Sequence, residues 1–192
     1  MLPRTAEQIL DGEVEIDGAY FGSHVRQENR EEDRRDRRRT ENRSDRRRVV
    51  IALRERKGRT LSFVRHREAD GVEVARARMV ANAKLFADEA SHWDVLEMQF
   101  GTGRINHSEA YSDFNGKHTN WVESYFSHLR RMVGGQDHHV SHKYLYQYAN
   151  HAAWLEDHRR RSNGGNAFAL LGGALNHAVN GVWAGYWQRN AS

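Results

Sequence analysis

The chain has 192 residues, a length that fills one hydrophobic core and excludes two large domains. It contains no cysteine, which excludes disulfide scaffolds, thiol nucleophiles and cysteine-ligated zinc, and fits a reducing compartment. The formal net charge is +4, and the segment from Arg26 to Arg48 alone holds 11 Arg against 7 acids. Because arginine binds phosphate through two parallel hydrogen bonds, this segment is a candidate nucleic-acid contact; the alternative is a solvated stretch of Glu and Arg pairs at helical spacing.

No segment of the sequence is typical of a membrane protein. The longest apolar stretch, residues 167–179, is interrupted by glycine and polar residues and is shorter than the roughly 20 apolar residues that a membrane span needs. No apolar run near the N-terminus predicts a signal peptide. We therefore expect a soluble, cytoplasmic protein.

The first third of the chain predicts three strands. From Gly12 to Gly22, Val14 and Ile16 alternate with acids, which predicts a strand with one apolar and one acidic face. Residues 49–53 and 61–64 are apolar runs on either side of a turn at Lys57-Gly58, and they predict a hairpin.

The middle of the chain predicts alternating helices and strands. Apolar residues recur at helical period from Val72 to Ala83 and are followed by an apolar strand, 85–87, that ends at Asp88. A short helix at 93–100 and a brief strand at 104–107 follow. The order indicates a mixed α/β sheet covered by helices.

The last third is predicted to be helical. The clearest helix begins near Thr119 and ends at Gly134-Gly135; its wide apolar stripe leaves a polar face. A second helix runs from Ser141 to the basic cluster 159–161, and a glycine-rich apolar tail, Phe168 to Trp187, is expected to dock on the core or on a partner. The polar face of the first of these helices consists of Asn120, Glu123, Ser127 and Arg130.

Three acids occupy positions where an α/β sheet places functional groups: Asp17 on the first strand, Asp88 at the end of a later strand, and Glu123 one turn into the clearest helix. Oxygen-only ligands of this kind suit Mg²⁺ or Mn²⁺. Two such ions can activate an attacking oxygen and stabilise a leaving one in phosphoryl transfer.

Each acid also has a simpler interpretation. Asp17 continues an acidic alternation that solvent would cover, and Asp88 could cap the helix near His92. Asn120 followed three residues later by Glu123 is close to a capping box. Spacing alone does not decide between the two interpretations.

Five ordered stretches are similar to bacterial insertion-sequence transposases with an ISXO-two-like catalytic domain, members of the DDE superfamily. The resemblance runs from about Gly12 to Arg160. The stretches are Glu13-Val-Glu-Ile-Asp-Gly-Ala-Tyr-Phe-Gly22, Ala87-Asp-Glu-Ala90, Ile105-Asn-His-Ser-Glu-Ala-Tyr111, Thr119-Asn-Trp-Val-Glu-Ser-Tyr-Phe-Ser-His-Leu-Arg-Arg131 and His138-His-Val-Ser-His-Lys-Tyr-Leu145.

The resemblance implies a ribonuclease H-like fold, with a five-stranded mixed sheet whose first three strands are antiparallel. It implies a catalytic and metal-binding triad of Asp17, Asp88 and Glu123 that holds two Mg²⁺ or Mn²⁺ ions, with Asp17 bridging them. Asn120, Arg130 and His107 would support this triad. The arginines that we expect to contact DNA are Arg34, Arg35, Arg37, Arg38, Arg39, Arg46, Arg47, Arg48 and Arg131.

The implied reaction is hydrolysis at insertion-sequence ends followed by transfer of the 3′-hydroxyl into target DNA. Partners would be transposon-end and target DNA and further copies of the chain, and the protein would lie on the nucleoid when bound to DNA. We expect a catalytic domain at residues 12–160, with the Arg-rich insertion at 26–48, and a helical tail at 161–192.

Two alternatives stay open. Relatives usually carry a DNA-recognition region before this domain, whereas about a dozen residues precede the first strand here, and the helix around Trp154 departs from the family pattern at His151, Leu155 and His158. The chain could therefore be a truncated, catalytically idle transposase that still binds DNA. It could also be a basic nucleic-acid-binding module without enzymatic activity.

Overall fold

The computed structural model describes residues 8–22, 30–33, 47–56, 58–88, 91–101, 103–104, 119–136 and 140–176. Short 3₁₀ turns occur at Glu31–Asp33, Glu68–Asp70 and Ser91–Leu96, and a π-helical turn at Met132–Gln136. The strands are β1 (Glu13–Phe21), β2 (Arg48–Glu55), β3 (Thr60–Arg65), β4 (Lys84–Ala87) and β5 (Gly103–Arg104), and the helices are α1 (Gly71–Arg78), α2 (Asn120–Arg131), α3 (Leu145–His158) and α4 (Asn163–Asn176).

The strands form one mixed sheet in the order β3-β2-β1-β4-β5. β1 pairs antiparallel with β2, and β2 with β3, as predicted, whereas β4 pairs parallel with β1 and with β5. Four strands have four or more residues, while β5 is a two-residue pairing at the edge. The predicted strand at 104–107 is described only as far as Arg104. This mixed sheet with helices is compatible with a ribonuclease H-like fold.

The sheet separates two hydrophobic layers. Val14 and Ile16 of β1 pack with α1 and the Ser91–Leu96 turn on one side, around the buried Trp93. Ala19 and Phe21 pack with α2 and α3 on the other side. Since successive side chains of a strand point to opposite faces, Glu15 and Asp17 share the α2 side of β1.

The acidic face of β1 is largely covered, so the simpler interpretation of Asp17 as a solvated acid is wrong. Glu13 is exposed, but Glu15 is 0% exposed and Asp17 is partly buried. The helices α2 and α3, which lie a hundred residues later in the chain, cover this side of the sheet. The interpretation of Asp17 as one more solvated acid is thereby removed.

Two of the predicted helices have different bounds. α1 ends at Arg78, because the next residue, Met79, forms a parallel bridge with Leu10 and is buried as a strand residue would be. α3 begins at Leu145 rather than at Ser141. The apolar periodicity of this helix predicts a buried Leu155, but Leu155 is 44% exposed, and the covered residue next to it is Glu156.

Polar contacts attach α3 to the sheet. The Glu156 carboxylate forms a salt bridge with Arg54 of β2 over 3.2 Å, and both side chains are buried. Asp157 accepts hydrogen bonds from the backbone and hydroxyl of Thr60, at 3.2 and 2.7 Å. These contacts fix α3, and with it α2, on the face that carries Asp17.

The tail does not dock on the core where it is described. α4 contains no buried residue, and Phe168 is 79% exposed. The rest of the tail, residues 177–192, lies outside the described residues. In the described part of the chain, no helix combines the length and the apolar character that crossing a bilayer requires.

Candidate active site

The strand register brings Asp17 and Asp88 together. β1 and β4 are parallel neighbours, with Glu13 opposite Lys84 and Glu15 opposite Phe86. The same offset, continued by two residues, sets Asp88 beside Asp17. Neighbouring strands lie about 4.8 Å apart, and residues opposite each other have side chains on the same face, so Asp17 of β1 and Asp88, which directly follows β4, lie on the same side of the sheet.

α2 supplies Glu123 and Arg130 to the same region. The two residues are seven positions apart and therefore share one face of the helix. The charges of both act on the Asp17 carboxyl. Thr119, the residue that precedes α2, orients Glu123, because its hydroxyl donates a hydrogen bond to Glu123 Oε1 at 2.9 Å.

The pKa of Asp17 reflects the charges around it. The pKa of Asp17 is raised from 3.8 to about 7, mainly by burial; the charges of Asp88 and Glu123 also raise it, while the Gly18 backbone N–H and Arg130 lower it. The Gly18 N–H donates to Asp17 Oδ1 at 2.7 Å. The predicted triad and Arg130 thus form one interacting group of charges.

A fourth acid, Glu68, lies in the same group and was not identified from the sequence. It begins the 3₁₀ turn between β3 and α1, and its carboxylate lies over Gly18, which has no side chain to exclude it. The pKa of Glu68 is raised to about 7, mainly by burial and in part by the charges of Asp17 and Asp88. In the sequence it resembles any acid at a helix start.

His92 borders this group. Its Nε2 atom is buried and lies 4.0 Å from Glu68 Oε1, and its ring contacts Trp93 at 4.3 Å between centroids. Burial lowers the pKa of His92, and the negative charge of Asp88 acts against that shift. The imidazole therefore contributes a neutral polar group beside the acids near neutral pH.

The N-terminus of α2 is not closed by a capping box, and that interpretation is wrong. The residue preceding the helix is Thr119, whose side chain makes no capping hydrogen bond, and Asn120 is the first helical residue. The carboxylate of Glu15 accepts the N–H groups of Trp121 and Val122 instead. Asn120 and Glu123 therefore do not form the capping box that their spacing suggested.

Comparison with known proteins adds one decisive match. The family described as the ISXO2-like transposase domain matches residues 9–157, more than half of the chain. The chain belongs to this transposase family. No curated protein and no solved structure matches it.

The match covers Asp17, Asp88 and Glu123 and ends just before the basic cluster at the end of α3. The expectation of a transposase domain is confirmed. The assignment of individual catalytic residues within the transposase domain stays a prediction.

The remaining site predictions differ in how far the structure describes them. Asn120 and Arg130 are exposed on α2. Arg47 packs over the Tyr20 ring at 3.9 Å, and Arg131 is exposed and lines a groove of about 490 Å³ between α2, α3 and α4. The predicted site residues that lie outside the described residues are His107, Arg34, Arg35, Arg37, Arg38, Arg39 and Arg46.

The donor set of this transposase domain fits a divalent cation by its chemistry. The acids are oxygen donors whose like charges oppose one another, and Arg130 is the cation that acts on Asp17. Within the described ranges, no three His, Asp or Glu side chains are arranged to coordinate a metal ion as they stand. The acids thus supply negative charge and oxygen ligands, but the side chains in the described ranges do not form a closed coordination shell.

Proposed function

We propose that this chain is a DNA transposase catalytic domain with a ribonuclease H-like fold, which hydrolyses a phosphodiester bond at insertion-sequence ends and transfers the resulting 3′-hydroxyl into target DNA. The observation that carries the proposal is the convergence of Asp17, Asp88 and Glu123 on one side of the sheet, where the charges of the other two act on Asp17. The family membership supports a transposase function in general.

The three acids would act as ligands. Asp17 would bridge two divalent cations, with Asp88 on one and Glu123 on the other. Bound Mg²⁺ or Mn²⁺ supplies charge stabilisation for the attacking and leaving oxygens of an in-line displacement. The hydrogen bond from the Thr119 hydroxyl holds the Glu123 carboxylate at the start of α2.

The protein residues hold the DNA around this centre. Arg130 is exposed on the same helix face as Glu123, where its guanidinium would bind a phosphate oxygen of the strand to be cut. In hydrolysis, the oxygen of water bonds to phosphorus and the bond from phosphorus to the 3′-oxygen breaks, which leaves a 3′-hydroxyl. In transfer, that hydroxyl attacks a target phosphate and displaces the target's 3′-oxygen.

The proposal is tested by nicking of supercoiled plasmid with Mn²⁺, wild type against Asp88→Ala. We expect nicking by the wild type and a loss of at least about 100-fold in the variant, because a ligand to the ions is removed. Glu73→Ala is the matched control, since Glu73 is an exposed acid on α1 away from the site. Equal nicking by wild type and Asp88→Ala contradicts the assignment and favours an idle or non-enzymatic DNA-binding protein.

A further inference from the structure

Glu15 is a completely buried acid that the proposed chemistry does not use. Its residue exposure is 0%, and each of its carboxylate oxygens has defined partners. Oε2 accepts hydrogen bonds from the backbone N–H groups of Trp121 at 2.8 Å and Val122 at 3.0 Å. Oε1 accepts one from Nε of Arg56 at 3.0 Å.

These contacts replace an ordinary helix cap. The N–H groups of the second and third helical residues are those that an N-cap side chain normally satisfies. In α2 the N-cap residue is Thr119, whose hydroxyl is directed to Glu123 instead. A carboxylate on β1 therefore performs the capping, and its negative charge also suits the positive end of the helix dipole.

The placement of Glu15 connects the two elements that carry the acids. Glu15 and Asp17 are two residues apart on the same face of β1, and Trp121 and Val122 directly precede Glu123. A displacement of the first turn of α2 along the sheet would stretch the two hydrogen bonds that the N–H groups of Trp121 and Val122 donate to Glu15. It would also change the separation between the Asp17 and Glu123 carboxylates.

We propose that Glu15 is a positioning residue that fixes the first turn of α2 against β1 and thereby sets the separation of Asp17 and Glu123 for binding divalent cations. This inference rests on the proposed function. Arg56 holds Glu15 in place, and it is itself fixed by a second salt bridge to Glu13 at 3.1 Å and by packing over the Phe86 ring at 3.9 Å.

The chain offers a closely matched pair of variants. Glu15→Gln keeps the shape but brings an NH₂ group against N–H donors, so at least one of the three hydrogen bonds is lost. Glu13→Gln alters the other acid on the same arginine, and its side chain is 45% exposed. A general effect of removing one negative charge beside Arg56 would appear in both variants, whereas a positioning role affects Glu15→Gln alone.

The measurement is Mn²⁺ binding to the DNA-free protein by calorimetry, together with the Mn²⁺ dependence of plasmid nicking. For Glu15→Gln we expect an affinity about 10-fold weaker, as is typical when a residue that orients metal ligands is removed, and a matching rise in the Mn²⁺ concentration for half-maximal nicking. DNA binding without metal should be unchanged. Wild-type Mn²⁺ affinity in folded Glu15→Gln overturns the proposal.

A milder variant covers the case in which Glu15→Gln does not fold. Arg56→Lys keeps the positive charge and leaves Glu15 intact but removes the Nε–H donor, and it should weaken Mn²⁺ binding in the same direction by a smaller factor. In the wild type, amide exchange at Trp121 and Val122 should be slow for a helix start. Unprotected amides, or unchanged Mn²⁺ affinity in Arg56→Lys, contradict the inference.

The proposed function and the positioning role of Glu15 can be refuted independently of each other. If Asp88→Ala nicks as well as the wild type, the assignment of the acids is wrong whatever Glu15 does. If Asp88→Ala is inactive while Glu15→Gln binds Mn²⁺ normally, only the positioning role is refuted.

Discussion

The Glu68 carboxylate lies against the backbone of Gly18, with Oε1 only 2.6 Å from the position that a Cβ atom on residue 18 would take. Gly18 lies in β1 and Glu68 in the turn before α1, and the absence of a side chain at Gly18 leaves room for the Glu68 carboxylate. A side chain at position 18 and the observed position of Glu68 are mutually exclusive.

Gly18→Ala should therefore displace the Glu68 side chain, because its carboxylate is the movable partner. We expect destabilisation by about 1 kcal/mol, as for modest overpacking. In a Glu68→Ala background the same Gly18→Ala change should have little effect, because the clash is already gone. Denaturant unfolding of the four proteins measures this coupling, and additive effects would contradict it.

The pKa of Asp17 predicts a pH dependence of stability without metal. An acid whose pKa is about 7 in the folded state and about 3.8 otherwise binds its proton more tightly when folded. This contribution to stability is fully present below about pH 4, declines as pH rises towards 7, and is constant above that. Asp17→Asn should flatten this decline and stabilise the metal-free protein at pH 8 by about 1–2 kcal/mol.

Thermal unfolding from pH 4 to pH 8 checks this expectation. Asp70→Asn is a suitable control. Asp70 lies in the same 3₁₀ turn as Glu68, but its carboxylate forms a salt bridge with Arg67 at 3.3 Å. A decline of equal size in Asp17→Asn and the wild type would contradict the assignment.

Arg130 should determine the pH at which Mn²⁺-dependent nicking is lost on the acidic side of the pH profile. Its positive charge lowers the pKa of Asp17, so Arg130→Gln should raise that pKa and shift the acidic limb of Mn²⁺-dependent nicking to higher pH. Arg131→Gln is the control, since Arg131 is the next helical residue but lines the groove beside α3. Identical pH profiles for the two variants would show that Arg130 does not act on Asp17.

Glu156 should be important for stability rather than for chemistry. Its carboxylate is buried and pairs with Arg54 and with Arg159, at 3.2 and 2.9 Å, and accepts a hydrogen bond from Ser124 at 3.1 Å. Glu156→Ala leaves the buried Arg54 charge without its main partner, which typically destabilises a protein by about 3–5 kcal/mol. Denaturant unfolding tests this, with the exposed acid Glu73 as the control. A change below about 1 kcal/mol would contradict it.

The Arg-rich segment gives a prediction for DNA binding. If Arg34, Arg35 and Arg37 each contact a phosphate, their joint replacement by Gln should reduce the slope of log affinity against log salt by about 2–3. Binding measured over a range of salt concentrations provides the slope. An unchanged slope would exclude these three arginines as phosphate contacts.

Periodicity was sufficient to predict the hairpin and the main helix. The apolar runs 49–53 and 61–64 lie within β2 and β3, and the stripe after Thr119 forms the buried face of α2. Periodicity failed at Met79. This residue follows the end of α1 and is buried through its bridge with Leu10, but its position continues the apolar spacing of the helix. Local patterns do not record which kind of element buries a residue.

The site was predictable only in part for a related reason. Asp17, Asp88 and Glu123 belong to motifs that a family resemblance identifies. Glu15 and Glu68 acquire their environments from residues distant in the chain, Glu15 from the start of α2 and Glu68 from the missing side chain of Gly18. No local signal distinguishes a buried, partnered acid from a solvated one in an alternating strand.

The alternation of β1 carries a further consequence. Val14 and Ile16 fill one hydrophobic layer, while Glu15 and Asp17 face the other. Deleting one residue inside β1 would exchange these sets, which would turn the carboxylates into the layer around Trp93 and the aliphatic groups towards α2. The two-residue spacing of Glu15 and Asp17 is therefore tied to the packing of both layers, and a deletion that moved these acids would disrupt the core as well.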